Sequence, residues 1–232
     1  MEKTKLTDTT NRRKFLGALG TGAAAMSIAT LAPLQHLQAN PGEPINDSDP
    51  DEWFKQIKGK HRVVFDAVRP HEIMPFVWPR VFLMTNEATG TPTKDSSVVV
   101  VLRHSAVGYA FQDGLWEKYK LGELFKADDP ATGKPSLRNP FWKPAKGAFK
   151  VPGFGEVQIG INELQESGVM FCACNAAMTV YSGILADSMK LKQEDVLNDF
   201  KAALIPNIQV VPSGVWALGR AQEHNCAYIF AG

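Results

Sequence analysis

Five short apolar runs, most of them rich in β-branched residues, divide the chain: HRVVFDAV (61–68), SSVVVVLRHS (96–105), VMFCAC (169–174), IQVVP (208–212) and CAYIFAG (226–232). Runs that are apolar on both faces suit parallel strands covered by helices on each side. The segments between them carry helical patterns. A short helix is expected at DEWFKQIKG (51–59), and another within 74–89, its start blurred by Pro75 and Pro79. Residues 113–125 place Leu115, Tyr119 and Leu121 on one helix. Further helices fall at about 161–167, 176–190, 193–205 and 215–224, the third of these amphipathic. Strand and helix alternate with no internal repeat. The pattern predicts a three-layer, doubly wound α/β fold with a five-stranded parallel sheet, forming a single domain over 61–232.

One stretch breaks the pattern. Residues 127–155 are rich in Pro and Gly yet hold Phe141, Trp142, Phe149 and Phe154. A loop this long is uncommon in a compact domain unless it is functional or disordered, and four aromatics are costly to leave in water and unlike a disordered composition. They are expected to pack over the carboxyl-end pocket as a lid, or against a neighbouring subunit.

Charge changes the picture mainly at the start. Residues 1–39 carry five Lys/Arg against two acids, and the remaining 193 carry 20 against 22. The later balance and the lack of a basic stripe argue against nucleic-acid binding. The early excess sits in TTNRRKFLGALG, followed by TGAAAMSIATLAPL and a small-residue cut after Ala39. A charged region, an apolar region and a cleavage site form a signal-peptide pattern. Arg12 and Arg13 ahead of Lys14, Phe15 and Leu16 resemble a twin-arginine export signal, an address read by its translocase. The alternative is a chance Arg-Arg ahead of a membrane anchor. No other segment approaches the ~20 apolar residues of a span, so a mature chain beginning near Asn40 carries no membrane span. It is expected in the periplasm, or otherwise exported. Residues 40–51 read as a linker, so that 40–60 hold linker and short helix. Overall composition, 44% hydrophobic and 21% charged, is that of an ordinary globular protein.

The candidate chemistry centres on Cys172 and Cys174. They are open to four readings: a reactive site, a disulfide, part of a metal site, or small hydrophobes in a buried strand. Alternation along the strand puts both on one face, with Cys174 at the carboxyl end where open parallel sheets bind ligands. Asn175 suits the N-cap of the next helix, whose positive end favours a thiolate. A disulfide between the two is strained, because two strand residues advance about 6.6 Å, near the ~6.8 Å limit for bridged Cα atoms. Cys226, expected at the opposite sheet edge, and the lack of CxxC or HExxH spacing leave no metal site in view. No GxSxG, Walker loop or GxGxxG is present, and no cofactor is expected. Asp66 and Arg69 after the first strand, His104 and Ser105 after the second, and Ser213 after the fourth are the further candidates for binding substrate. His104 is placed to stabilise a thiolate or shuttle a proton.

The strand ending in cysteine (VMFCAC), the helix with a glycine partway along (AAMTVYSGI), the acidic-capped LKQEDVL, the strand running into Ser-Gly-Val (VVPSGV) and the closing CAYIF together resemble the DsrE family of sulfur-relay and sulfur-oxidation proteins. The resemblance is strongest over 165–231. It implies a small doubly wound domain, a homo-oligomer such as a trimer or hexamer, and a third-strand cysteine passing persulfide sulfur between donor and acceptor proteins. The chain departs from the family in its long connection over 108–168 and in its export signal. The two function classes in view are a thiol-based sulfur-relay or redox protein of the cell envelope and a non-catalytic ligand-binding or assembly module.

Overall fold

The structure, a computed structural model, describes residues 50–232. The export signal and nearly all of the linker therefore lie outside the described residues.

The five apolar runs become β1 (His61–Ala67), β2 (Ser96–Leu102), β5 (Met170–Cys174), β6 (Ile208–Val211) and β7 (Ala227–Phe230), all parallel, in the order β6-β5-β2-β1-β7. The residues before and between them build α1 (Pro50–Phe54), α2 (Met74–Ala88), α3 (Asp113–Tyr119), α4 (Leu121–Phe125), α5 (Ile161–Glu166), α6 (Asn175–Met189), α7 (Gln193–Ala202) and α8 (Gly214–Glu223). A small antiparallel hairpin, β3 (Lys150–Val151) with β4 (Gly155–Glu156), lies inside the long connection.

The order explains the layering. From β1 through β2 and β5 to β6 the chain steps across the sheet in one direction, and right-handed crossovers keep α2, α5, α6 and α7 on one face. The return from β6 to β7 runs the other way and carries α8 on the opposite face, beside α1. Alternation along the strands feeds both layers. Val63, Phe65, Val98, Val100, Leu102, Phe171 and Ala173 join the α2 side; Val64, Val99, Val101 and Cys172 join the α8 side. This is the expected doubly wound α/β fold.

Three local expectations need correcting. Residues 113–125 are two helices rather than one, because Lys120 turns left-handed at φ 49°. The second helix is then set against 135–136: a Cβ on Gly122 would lie 2.2 Å from the Ser136 carbonyl oxygen. Tertiary contact overrides a continuous helical pattern here.

The second correction concerns the aromatic connection. Phe141 and Phe149 are core residues, stacked 5.2 Å apart, and Phe141 also stacks on Phe76 of α2 at 4.2 Å. Trp142 is half-buried against the same core, while Phe154 is exposed. Fully buried Asn139 anchors the segment by donating its side-chain amide to the Tyr109 and Phe111 carbonyls, both at 2.9 Å, and accepting from the Phe141 N–H at 3.1 Å. The stretch lacks helix and strand periodicity because it fills the core from irregular backbone. Burying each ring contributes about 2–3 kcal/mol.

The third correction is at the end of β5. Cys172 faces the α8 layer, whereas Cys174 packs with the α2–α6 core. Strand alternation stops one residue before the helix, where Cys174 takes φ −76° and ψ 107° as the N-cap of α6. The N-cap is therefore Cys174 itself, and Asn175 is the first helical residue.

Among the described residues no helix is long and apolar enough to cross a membrane.

Candidate functional site

The carboxyl ends of β2, β5 and β6 open into one concavity of about 370 Å³. Arg103 and His104 line it from the end of β2, Cys174 from β5, and Ser213, Gly214 and Val215 from the start of α8. The first turns of α6 complete the wall with Ala176, Ala177, Val180, Tyr181 and Ile184. The wall is mostly apolar.

Cys174 is only 5% exposed, and its sulfur accepts a hydrogen bond from the Ala177 N–H at 3.3 Å. The sulfur thus caps the positive end of a 15-residue helix. Ser213 caps α8 in the same manner, its hydroxyl accepting from the Trp216 N–H at 3.2 Å.

Beside the sulfur stands a cation that the sequence reading did not single out. Arg103 donates two parallel bonds to Asp66, Nε to Oδ1 at 2.7 Å and Nη2 to Oδ2 at 2.9 Å. The Asp66 side chain is 2% exposed and that of Arg103 25%. The Tyr228 hydroxyl, reaching in from edge strand β7, donates to Asp66 Oδ2 at 2.8 Å. Hydrogen bonding to Asp66 holds the Arg103 guanidinium above its usual range against the opposing pull of burial, and the Cys174 sulfur lies within its electrostatic reach. Gly214 makes room for this side chain, since a Cβ there would sit 2.5 Å from Arg103 Cβ and 2.7 Å from its Cδ.

The remaining candidates separate. His104 is exposed at the rim in a left-handed conformation, φ 47°, with its ring edge-on to Tyr181 at 6.0 Å. Ser105 lies beside it, its hydroxyl 3.3 Å from His104 Nδ1. Burial raises the Tyr181 phenol, and its hydrogen bond with Ser105 opposes that rise. Asp66 is a buried anchor behind the wall rather than part of it. Arg69 is exposed and outside the concavity, its backbone N–H on the Gly232 carbonyl at 3.2 Å. Asn175 also lies outside the lining, its carbonyl accepting from the Thr179 hydroxyl.

Cys172 does not share the site. It is fully buried on the other face, and burial pushes its thiol far above the ordinary range. Cys226, buried just ahead of edge strand β7, is raised by burial to about 11, with Arg62 opposing the rise. All three cysteines are free thiols. No group of three or more His, Cys, Asp or Glu side chains that suits a metal ion occurs among the described residues.

Arg103 was legible only through register. Asp66 pairs with Val101 across β1 and β2, so Arg103 falls one pleat further along on the same face. Val64 pairs with Tyr228, which places the phenol one pleat before Asp66 on that face as well. Neither relation shows in a sequence read one strand at a time.

No family model and no curated protein matches the chain. Among solved structures the chain is similar to a protein of unknown function, MTH1491 from Methanobacterium thermoautotrophicum, at 17% identity and a TM-score of 0.38. That match covers 74% of this chain and 99% of the other.

Proposed function

We propose that this chain is an exported, DsrE-like thiol protein in which Cys174 carries sulfur or redox equivalents in the cell envelope. The observation that carries the reading is the position of Cys174: the carboxyl end of a central strand, the N-cap of α6, and the wall of a concavity shared with the Arg103 guanidinium. In sulfur transfer, the Cys174 thiolate attacks the outer sulfur of a donor persulfide. A new S–S bond forms at Cys174, the donor S–S bond breaks, and the donor leaves as a thiolate, so no external oxidant is consumed. His104 and Ser213 at the rim are the groups that would meet the donor or acceptor protein. A homo-oligomer belongs to the same reading, supported by exposed Val180, Ile184 and Val215 around the mouth. Export through the twin-arginine translocase rests on Arg12 and Arg13; their joint replacement by lysine is expected to leave uncut precursor in the cytoplasm.

The test is intact-mass analysis after incubation with a low-molecular-weight persulfide. Gain of one sulfur atom on wild type and none on Cys174→Ser supports the reading; equal gain on both refutes it. A second reading, a non-catalytic binding module, draws on the 5% exposure of Cys174 and the mostly apolar wall around it. It predicts no sulfur gain at any concentration of donor.

A further inference from the structure

We infer that Arg103 makes the Cys174 site selective for anionic reaction partners, and that Asp66 and Tyr228 are the positioning residues that hold it there. The inference rests on the thiol reading of Cys174 and adds to it a substrate class: small or protein-borne groups bearing negative charge next to the atom that Cys174 attacks.

Three observations carry it. First, the guanidinium is fixed. Two of its nitrogens are bound bidentately by a carboxylate that is itself buried and backed by the Tyr228 hydroxyl. A long side chain pinned at its head loses little further freedom on meeting a ligand. Second, the guanidinium keeps an unbonded polar edge. Nη1 has no hydrogen-bond partner among the described residues, and the Arg103 side chain is 25% exposed while lining the concavity. Asp66 occupies the opposite edge and is turned away from solvent. Third, no carboxylate other than Asp66 competes. The lining contains no carboxylate, and its only other ionisable groups are His104, Tyr181 and Cys174. Gly214 completes the arrangement, as the residue over which the arginine stem passes at the start of α8. An apolar wall around one oriented cation strengthens its attraction for an anion relative to open water.

Paired alkylating reagents separate this charge preference from thiol ionisation. Iodoacetate and iodoacetamide both react when the Cys174 thiolate attacks the carbon bearing iodine and iodide leaves. Both reagents meet the same fraction of thiolate, so the ratio of their rates reports only how the site treats a negative charge. The ratio at Cys174 would be measured by intact mass at pH 7 on the full-length protein and normalised to a free thiol. The variants are Arg103→Lys, Arg103→Gln and the double variant Asp66→Asn/Arg103→Gln, the last of which leaves no unpaired buried carboxylate to unfold the chain. The expected result is that the iodoacetate preference drops in both Gln variants, by up to about fourfold in Arg103→Gln, the size of one Coulomb contact at about 5 Å in a water-like medium, and by less in the double variant, which also loses the Asp66 charge. Lysine, which keeps the charge, should retain most of it, and about 1 M salt should compress the wild-type ratio. An unchanged ratio in a folded Arg103→Gln or double variant overturns the inference while leaving the thiol reading intact. Failure of Cys174 to react with either reagent overturns both.

Discussion

Replacing Arg103 by methionine should damage this protein more than replacing its partner Asp66 by asparagine. The two side chains form one pair but are not equally sheltered. Asp66 is 2% exposed and Arg103 25%. Removing the guanidinium strands a carboxylate that water cannot reach, with the Tyr228 hydroxyl as its remaining partner. Breaking a buried pair in this way costs about 3–5 kcal/mol. Asp66→Asn instead leaves a neutral amide that still accepts one bond from Arg103, while the guanidinium keeps part of its hydration. The loss there is one charge-assisted bond, about 1.5–3 kcal/mol. The double replacement should cost less than the sum of the two. Urea denaturation read as a shift in midpoint at constant slope measures each value. Against the ~5–15 kcal/mol stability of an ordinary domain, the Arg103→Met loss should be unmistakable. A loss below about 1 kcal/mol, or a larger loss for Asp66→Asn, would refute the burial argument.

Three further outcomes follow from the same geometry. Gly214→Ala drives a methyl into the Arg103 stem, which would have to move from a 2.5 Å approach; a loss of about 1–3 kcal/mol is expected in denaturation, together with a weakened iodoacetate preference at Cys174. Phe141→Ala removes a fully buried ring stacked on Phe76 and Phe149 and should cost about 3–5 kcal/mol, whereas Phe154→Ala, at an exposed position, should stay within about 0.5 kcal/mol; equal effects would return the aromatic stretch to the role of a surface lid. Finally, burial raises Cys226 from its ordinary 9.0 to about 11, and Cys172 in the same direction. A thiol whose folded value is raised gives stability that is complete below pH 9 and is lost as pH climbs toward 11, because the unfolded chain ionises first. The melting temperature should therefore fall over that window by less in a Cys172→Ala/Cys226→Ala variant than in wild type, and identical falls would contradict the assignment.

The sheet was legible because its strands are buried on both faces, which writes continuous apolar runs into the sequence. Helix existence was legible from the helical patterns between those runs; the break at Lys120 was not, since Gly122 meets the Ser136 backbone only after 135–136 has folded against it. The face of Cys174 was misread because alternation extends only as far as strand geometry does, and the residue belongs as much to α6 as to β5. Phe141 and Phe149 declared themselves as costly to expose but not as core, because Asn139, through which their segment is anchored, has no periodic signature. Of the site, Cys174, His104 and Ser213 were found by strand ends alone. Arg103 and Tyr228 required the register between β1, β2 and β7, which single-strand patterning does not contain. Arg69 and Asn175 satisfied the strand-end rule and still fell outside the lining: Arg69 is exposed after β1, and Asn175 is the first residue of α6, whose wall is formed by Ala176, Ala177, Val180, Tyr181 and Ile184.

The central claim is that Cys174 is a working thiol and Cys172 and Cys226 are packing. Limited alkylation at pH 7, with each cysteine resolved by peptide mass, tests it most directly. The account predicts labelling of Cys174 first, slowed relative to a free thiol by its 5% exposure, with Cys172 and Cys226 unlabelled until the protein unfolds and the fast phase lost in Cys174→Ser. Equal, slow labelling of all three thiols in the folded protein would contradict it and leave the site to a binding module.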